Sequence, residues 1–342
     1  MAPNRFDFIR LGLASTVFVY HAIALSALMP WRGLERSFAE AAEIAIQGFF
    51  IVSGALVAGS LFRSASLADY AGKRIRRLYP AYAVVVLVPA LVSLVLTGDV
   101  MGVGKYLAAN LVFLNFLSPT LPGLFEGNRF TEVNGALWTL KIEVMFYLAL
   151  PLIAVFLKAM GRWRWLGLLA LYMVGEAWRM CVPVFLDHPL APEVARQLPG
   201  QMAFFASGIA LRYLWDNAKA RPILYGGIGA LLFAASELSP MLQPLRAVGL
   251  TGLIASVAFL PGPSLNAARY GDISYGVYIT HFPILQGLVA VGVFAGAGLV
   301  GGFALSALLV VGASFMLWHV VERRALRPSS HYRKVAASNV QE

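Results

Sequence analysis

Hydrophobic residues lie in long unbroken runs separated by short polar segments, and the runs have the lengths a bilayer demands. Spanning the hydrocarbon core takes about 20 apolar residues, with a range of roughly 17–25. Ten runs fit or approach that length: 6–28, 42–62, 79–97, 136–157, 165–186, 199–215, 222–238, 244–260, 273–294 and 298–320. The pattern predicts an all-α integral membrane protein, a bundle of about ten transmembrane helices. The first run holds Arg10 and His21 and ends in Leu28, Met29, Pro30 and Trp31 with no small-residue cleavage site. It therefore reads as a retained helix and not as a signal peptide. The longest connection is 98–135. Within it, 106–117 is apolar but too short to span, as re-entrant or interfacial segments are.

Charge orients these helices. With the N-terminus in the cytoplasm, most of the 27 lysines and arginines fall on the cytoplasmic side, among them Arg63, the cluster at 73–77, Lys158 and Arg323. That bias matches the positive-inside rule with both termini cytoplasmic. Residues 1–325 read as one transmembrane domain and 326–342 as a basic, disordered cytoplasmic tail.

Composition narrows the class further. Of 342 residues, 59% are hydrophobic and 13% charged, where soluble domains carry about 25% charged residues. The mean hydropathy is +0.72. A soluble globule, a disordered regulator and a nucleic-acid-binding domain are excluded. The net charge of +10 reflects topology and not an affinity for nucleic acid. A single cysteine, Cys181, removes any disulfide framework or cysteine-based zinc site, and no metal motif is present.

Ionisable groups inside a membrane cost several kcal/mol and are functional candidates by default. Arg10 and His21 are 11 residues apart, close to three helical turns, so they share a face about 16 Å apart along the axis. A second reading of the same residues has Arg10 snorkelling to headgroups and His21 bonding a neighbouring helix. Glu143 in the fourth run is expected at the depth of His21, where a carboxylate can orient the imidazole of a general base. Alternatively, Glu143 pairs with Lys141. The segment 73–82 gathers Lys73, Arg74, Arg76 and Arg77 before Pro80, a surface suited to phosphate oxygens or to anionic lipid. The ninth run carries Ser274, and its Tyr275, Tyr278 and His281 form a polar-aromatic strip at i, i+3, i+6. Glu176 and Arg179 in the fifth run are spaced to neutralise each other.

Several blocks together resemble the acyltransferase 3 family of multi-pass membrane O-acyltransferases. They are FDFIRLGLASTVFVYHA at 6–22, GFFIVSGAL at 48–56, RIRRLYPAY at 74–82, LWTLKIEVMFY at 137–147 and SYGVYITHFP at 274–283. The family's R-x10-H spacing is met by Arg10 and His21, and its R-x-x-R-x-x-P pattern by Arg74, Arg77 and Pro80. The C-terminal SFMLWHVVERRALR fits more loosely.

The resemblance implies transfer of an acyl group, usually acetyl, from acyl-CoA to a hydroxyl of a carbohydrate or lipid-linked glycan in the bacterial inner membrane. Acetyl-CoA is then a co-substrate, with no tightly bound cofactor. His21 and Glu143 are the expected catalytic residues. Arg10, Arg74, Arg77, Ser53, Tyr275, Tyr278 and His281 are the expected acyl-CoA site, with Ser53 and Tyr278 near the oxyanion. A covalent acyl-histidine is the competing mechanism. The alternative from another class is a secondary transporter, which commonly shows repeats; residues 1–160 and 165–320 show none that convinces.

Overall fold

The structure, a computed structural model, describes residues 5–28, 32–263, 265, 267 and 271–328. Trp31 and the tail from 329 onward lie outside the described residues. Among those described the chain is helical, with no strand. The helices are α1 (Phe6–Ser26), α2 (Arg32–Phe62), α3 (Leu67–Thr97), α4 (Val100–Asn110), α5 (Trp138–Ala159), α6 (Arg164–Phe185) and α7 (Ala191–Ala195). They continue with α8 (Leu198–Tyr213), α9 (Trp215–Ala220), α10 (Pro222–Leu238), α11 (Leu245–Phe259), α12 (Ser274–Ala290), α13 (Val293–Leu317) and α14 (Arg323–Ala325). Each of the ten apolar runs overlaps a helix, though the bounds differ.

Among the described residues, six helical stretches are long and apolar enough to cross a membrane: Phe6–Ser26, Gly33–Phe62, Leu67–Thr97, Gly135–Ala159, Gly161–Phe185 and Val293–Ala325. Helices α8, α10, α11 and α12 have 16, 17, 15 and 17 residues. At 1.5 Å per residue such helices cover roughly 22–26 Å, short of a 30 Å core. Glycines shift the last expected boundary. Gly292 (φ 75) separates α12 from α13, and Gly298 (φ 67, ψ −177) interrupts α13 where the tenth run was expected to begin. The apolar stretch 106–117 is only partly helical: α4 ends at Asn110, Phe113 has a positive φ of 64, and Val112, Phe116 and Leu117 are exposed.

The chain forms two compact units. The first comprises Met1–Arg10, Ile46–Tyr70 and Ile142–Leu265, the second Leu11–Ala45, Ala71–Lys141 and Asn266–Glu342. In the first, Phe146 stacks on Phe205 at 3.7 Å between ring centroids, and Phe50 lies 4.9 Å from the same ring. Glycine permits the close crossing of α10 and α11: a Cβ at Gly249 would lie 2.5 Å from the backbone nitrogen of Phe233, and one at Gly229 2.7 Å from that of Leu253. Small residues at helix contacts are the usual means of packing where lipid supplies no hydrophobic drive. Gly249→Val is expected to cost about 1–3 kcal/mol, read as a lower unfolding temperature in detergent.

Proline inside a helix removes the N–H that would bond the carbonyl four residues earlier. Two such carbonyls have found other donors. In the first unit Pro151 frees the carbonyl of Tyr147, which accepts from the Tyr70 hydroxyl at 3.1 Å. In the second, Pro283 frees that of Ile279, which accepts from the Asn134 side chain at 2.8 Å. The 98–135 connection is thereby fastened to α12. Gln286 donates to the carbonyls of Phe130 and Glu132 at 2.7 and 2.8 Å, and Asn128 donates to the Gln286 side-chain oxygen at 2.7 Å. Asn134→Ala leaves a buried carbonyl unpaired and is expected to lower stability by about 1–3 kcal/mol. Asn134→Asp, which offers no N–H when ionised, should be no better by the same unfolding measurement.

Candidate active site

Two histidines meet in the second unit. His21 on α1 and His281 on α12 are 260 positions apart, yet Nδ1 of His21 lies 2.8 Å from Nε2 of His281. The rings are near parallel, 22° between planes with centroids 5.0 Å apart. Phe282 meets His21 edge-on at 5.0 Å, and Phe18 and Tyr278 face His281 at 6.1 and 6.0 Å. His281 is fully buried, and its Nδ1 lies 3.0 Å from the carbonyl of Val277 in its own helix. His21 is half-buried. The Tyr278 hydroxyl pairs with that of Thr139 at 2.6 Å, which holds α12 against the start of α5.

Arg77 lies in a buried cage in the same unit. Its guanidinium donates to Asp272 at 2.6 Å and, by its other edge, to Glu322. All three side chains are buried. Ser274 donates to the second oxygen of Asp272 at 2.6 Å. The guanidinium carbon lies 5.5 Å from the Tyr275 ring centre and 5.8 Å from that of Trp318, positions of cation–π attraction. Glu322 and Trp318 reach this cage from a π-helical turn, Trp318–Glu322, that follows α13. Such wide turns re-aim side chains and are frequent at functional sites. The Tyr275 hydroxyl donates to the carbonyl of Leu78 at 2.9 Å, tying α12 to α3. Of the remaining basic cluster, Lys73 and Arg74 are half-buried and Arg76 is exposed.

The first unit holds the other expected residues. Glu143 on α5 accepts hydrogen bonds from Ser53 on α2 at 2.7 Å and from Tyr147 at 2.5 Å. In the second unit, by contrast, the imidazole of His21 meets that of His281, and the Lys141 ammonium lies 4.6 Å from the Phe116 ring centre. Arg10 is half-buried on α1. Glu176 and Arg179 form the intrahelical pair their spacing predicts, at 2.5 Å.

Sequence reading did not single out Asp272, Glu322, Thr139 or Asn134. Asp272 carried one usable signal, an acidic residue two positions before the Ser274 of the SYGVYITHFP block. Glu322 carried another, as the acidic residue of the loosely fitting C-terminal block.

Long apolar helices enclosing a buried ion cage and a paired imidazole define a multi-pass membrane protein with a chemically equipped interior. The sequence profile of the acyltransferase 3 family, described as an acyltransferase domain, matches residues 4–319, and the chain belongs to that family. It is 28% identical to nodulation protein 10 of Rhizobium leguminosarum over 84% of each chain. It is 27% identical to an O-acetyl transferase of Shigella phage Sf6, covering 96% of this chain and 97% of the phage protein. It is also 26% identical to the peptidoglycan O-acetyltransferase OatA of Listeria monocytogenes, spanning 77% of this chain and 48% of that one. No solved structure matches. The chain is thus a membrane acyltransferase of the O-acetyltransferase kind, and the secondary-transporter reading loses its support.

Proposed function

We propose that the protein moves an acyl group, acetyl first of all, from cytoplasmic acyl-CoA to a hydroxyl of a carbohydrate or lipid-linked glycan. Its setting is the bacterial cytoplasmic membrane, with residues 1–325 acting as one domain of ten crossing helices and both termini inside. The observation that carries this reading is His21 itself: an imidazole inside an apolar helix, with one ring nitrogen held and 11 residues from Arg10. A sugar acceptor is consistent with the peptidoglycan named for one relative.

The chemistry balances with these groups. Nε2 of His21 takes the proton of the acceptor hydroxyl, and the oxygen attacks the thioester carbonyl. The tetrahedral intermediate collapses, the carbon–sulfur bond breaks, and the thiolate leaves as the free thiol with the proton held by His21. Arg10 and Arg74 are the proposed ligands of the CoA phosphates. Arg77, committed to two carboxylates, serves donor binding through the placement of α3 and α12, to which Tyr275 also contributes. Tyr278 is the proposed oxyanion donor. Ser53 gives its proton to Glu143, so its part is to hold that carboxylate.

Glu143 is proposed as a charged participant in catalysis. Glu143→Gln keeps an oxygen that accepts from Ser53 and Tyr147 but removes the charge. Turnover should fall about 10²-fold with the unfolding temperature unchanged, a loss that general acid–base and electrostatic roles produce. The reading as a whole is tested by purified protein in lipid nanodiscs, which should release CoA from acetyl-CoA. Mass spectrometry of envelope glycans from a deletion strain should show the loss of one O-acetyl group. No CoA release, together with an unchanged glycan profile, would remove the proposal.

A further inference from the structure

The geometry points to His281 as a positioning residue that selects the tautomer of His21. The inference rests on the proposed role of His21 as base and adds which nitrogen is free and what keeps it so. A backbone carbonyl has lone pairs and no proton, so in the contact between His281 Nδ1 and Val277 O the ring nitrogen must donate. A neutral imidazole carries one N–H, so Nε2 of His281 is then an acceptor. Its partner at 2.8 Å, Nδ1 of His21, must therefore hold the proton. That leaves Nε2 of His21 with a bare lone pair, the atom a base or nucleophile requires.

The chain of bonds thus runs from His21 Nδ1–H to His281 Nε2, and from His281 Nδ1–H to the carbonyl of Val277. The tautomer it imposes on His21 is the minor one for a free histidine side chain in water, so something must select it. His281 is built to do so. It is fully buried, with Phe18, Phe282 and Tyr278 around it. The carbonyl that orients it belongs to the preceding turn of its own helix, so the direction of the relay is set by local backbone. When His21 takes the acceptor's proton it becomes an imidazolium, and its bond to the His281 lone pair becomes charge-assisted and stronger. His281 plays the part that a carboxylate plays in a serine-protease triad, holding tautomer and orientation without itself gaining the proton. It touches no reactant.

The test joins spectroscopy with a substitution pair. Nitrogen-15 NMR of histidine-labelled protein in nanodiscs, with the His21 signals assigned by their loss in His21→Gln, should show a protonated Nδ1 and an unprotonated Nε2. His281→Leu removes the acceptor. CoA release should then drop about 10²–10⁴-fold in kcat, with KM for acetyl-CoA within about twofold and the surviving His21 signal moved to the Nε2-protonated form. His281→Gln offers a side-chain oxygen that can accept from Nδ1 and an N–H for the carbonyl, and should recover at least about tenfold of the loss.

A wild-type His21 protonated at Nε2 overturns the inference. So does a His281→Leu enzyme that keeps wild-type kcat. The wild-type spectrum is read with the His21→Gln assignment alone, so the inference stays testable even where leucine at 281 prevents folding. The base assignment fails separately: a fully active His21→Gln enzyme defeats the proposed function whatever tautomer the spectrum reports.

Discussion

Replacing His21 with glutamine is expected to reduce CoA release from acetyl-CoA by at least about 10³-fold and to leave the protein folded. Glutamine has no basic nitrogen, so the proton of the attacking hydroxyl has no acceptor of suitable strength, a loss within the range for removing a general base. The same side chain can still donate an amide N–H to Nε2 of His281, so the contact between α1 and α12 has a substitute. Unfolding temperature in detergent is the control, expected within a few degrees of wild type. Full activity in His21→Gln would show that the pair is a packing device between two helices.

The second large effect is on stability. Arg77→Ala strips the counter-charge from Asp272 and Glu322, both buried. Breaking a buried ion pair from one side typically costs about 3–5 kcal/mol, because the partner remains in a medium that cannot solvate it. A large drop in unfolding temperature and poor recovery from the membrane are expected. Arg77→Lys should restore little, since an ammonium cannot present the two edges by which the guanidinium reaches Asp272 and Glu322. Arg74→Ala should act first on the donor, raising KM for acetyl-CoA about tenfold. A stable Arg77→Ala protein with a raised KM would make Arg77 a phosphate ligand and its carboxylates incidental.

Hydropathy located every long helix, because a bilayer demands apolar runs of a set length and the chain supplies them in series. The intrahelical pair Glu176–Arg179 was equally readable, since i and i+3 lie on one face of a helix. His21, Arg77 and His281 were legible as chemistry-bearing residues, but their partners were not. Depth along two helices sets the level of His21 and Glu143 and leaves their rotation about each axis free. The imidazole that His21 meets comes from 260 positions away and was accordingly not readable from spacing. Arg77 looked like a surface cation because its neighbours in sequence are cations. Its carboxylates arrive from positions 195 and 245 residues away. Asn134 became readable only once Pro283 was seen to free the carbonyl of Ile279.

The most direct test of the account is the side from which the donor enters. Acetyl-CoA does not cross membranes, so it can be offered to one face at a time. Inverted membrane vesicles, with the cytoplasmic face outward, should release CoA, and the His21→Gln protein in the same vesicles should not. Spheroplasts, which expose the opposite face, should release none. Equal release from the two vesicle types, or release that survives the loss of His21, would contradict an acyl donor that enters from the cytoplasm and is used at that imidazole.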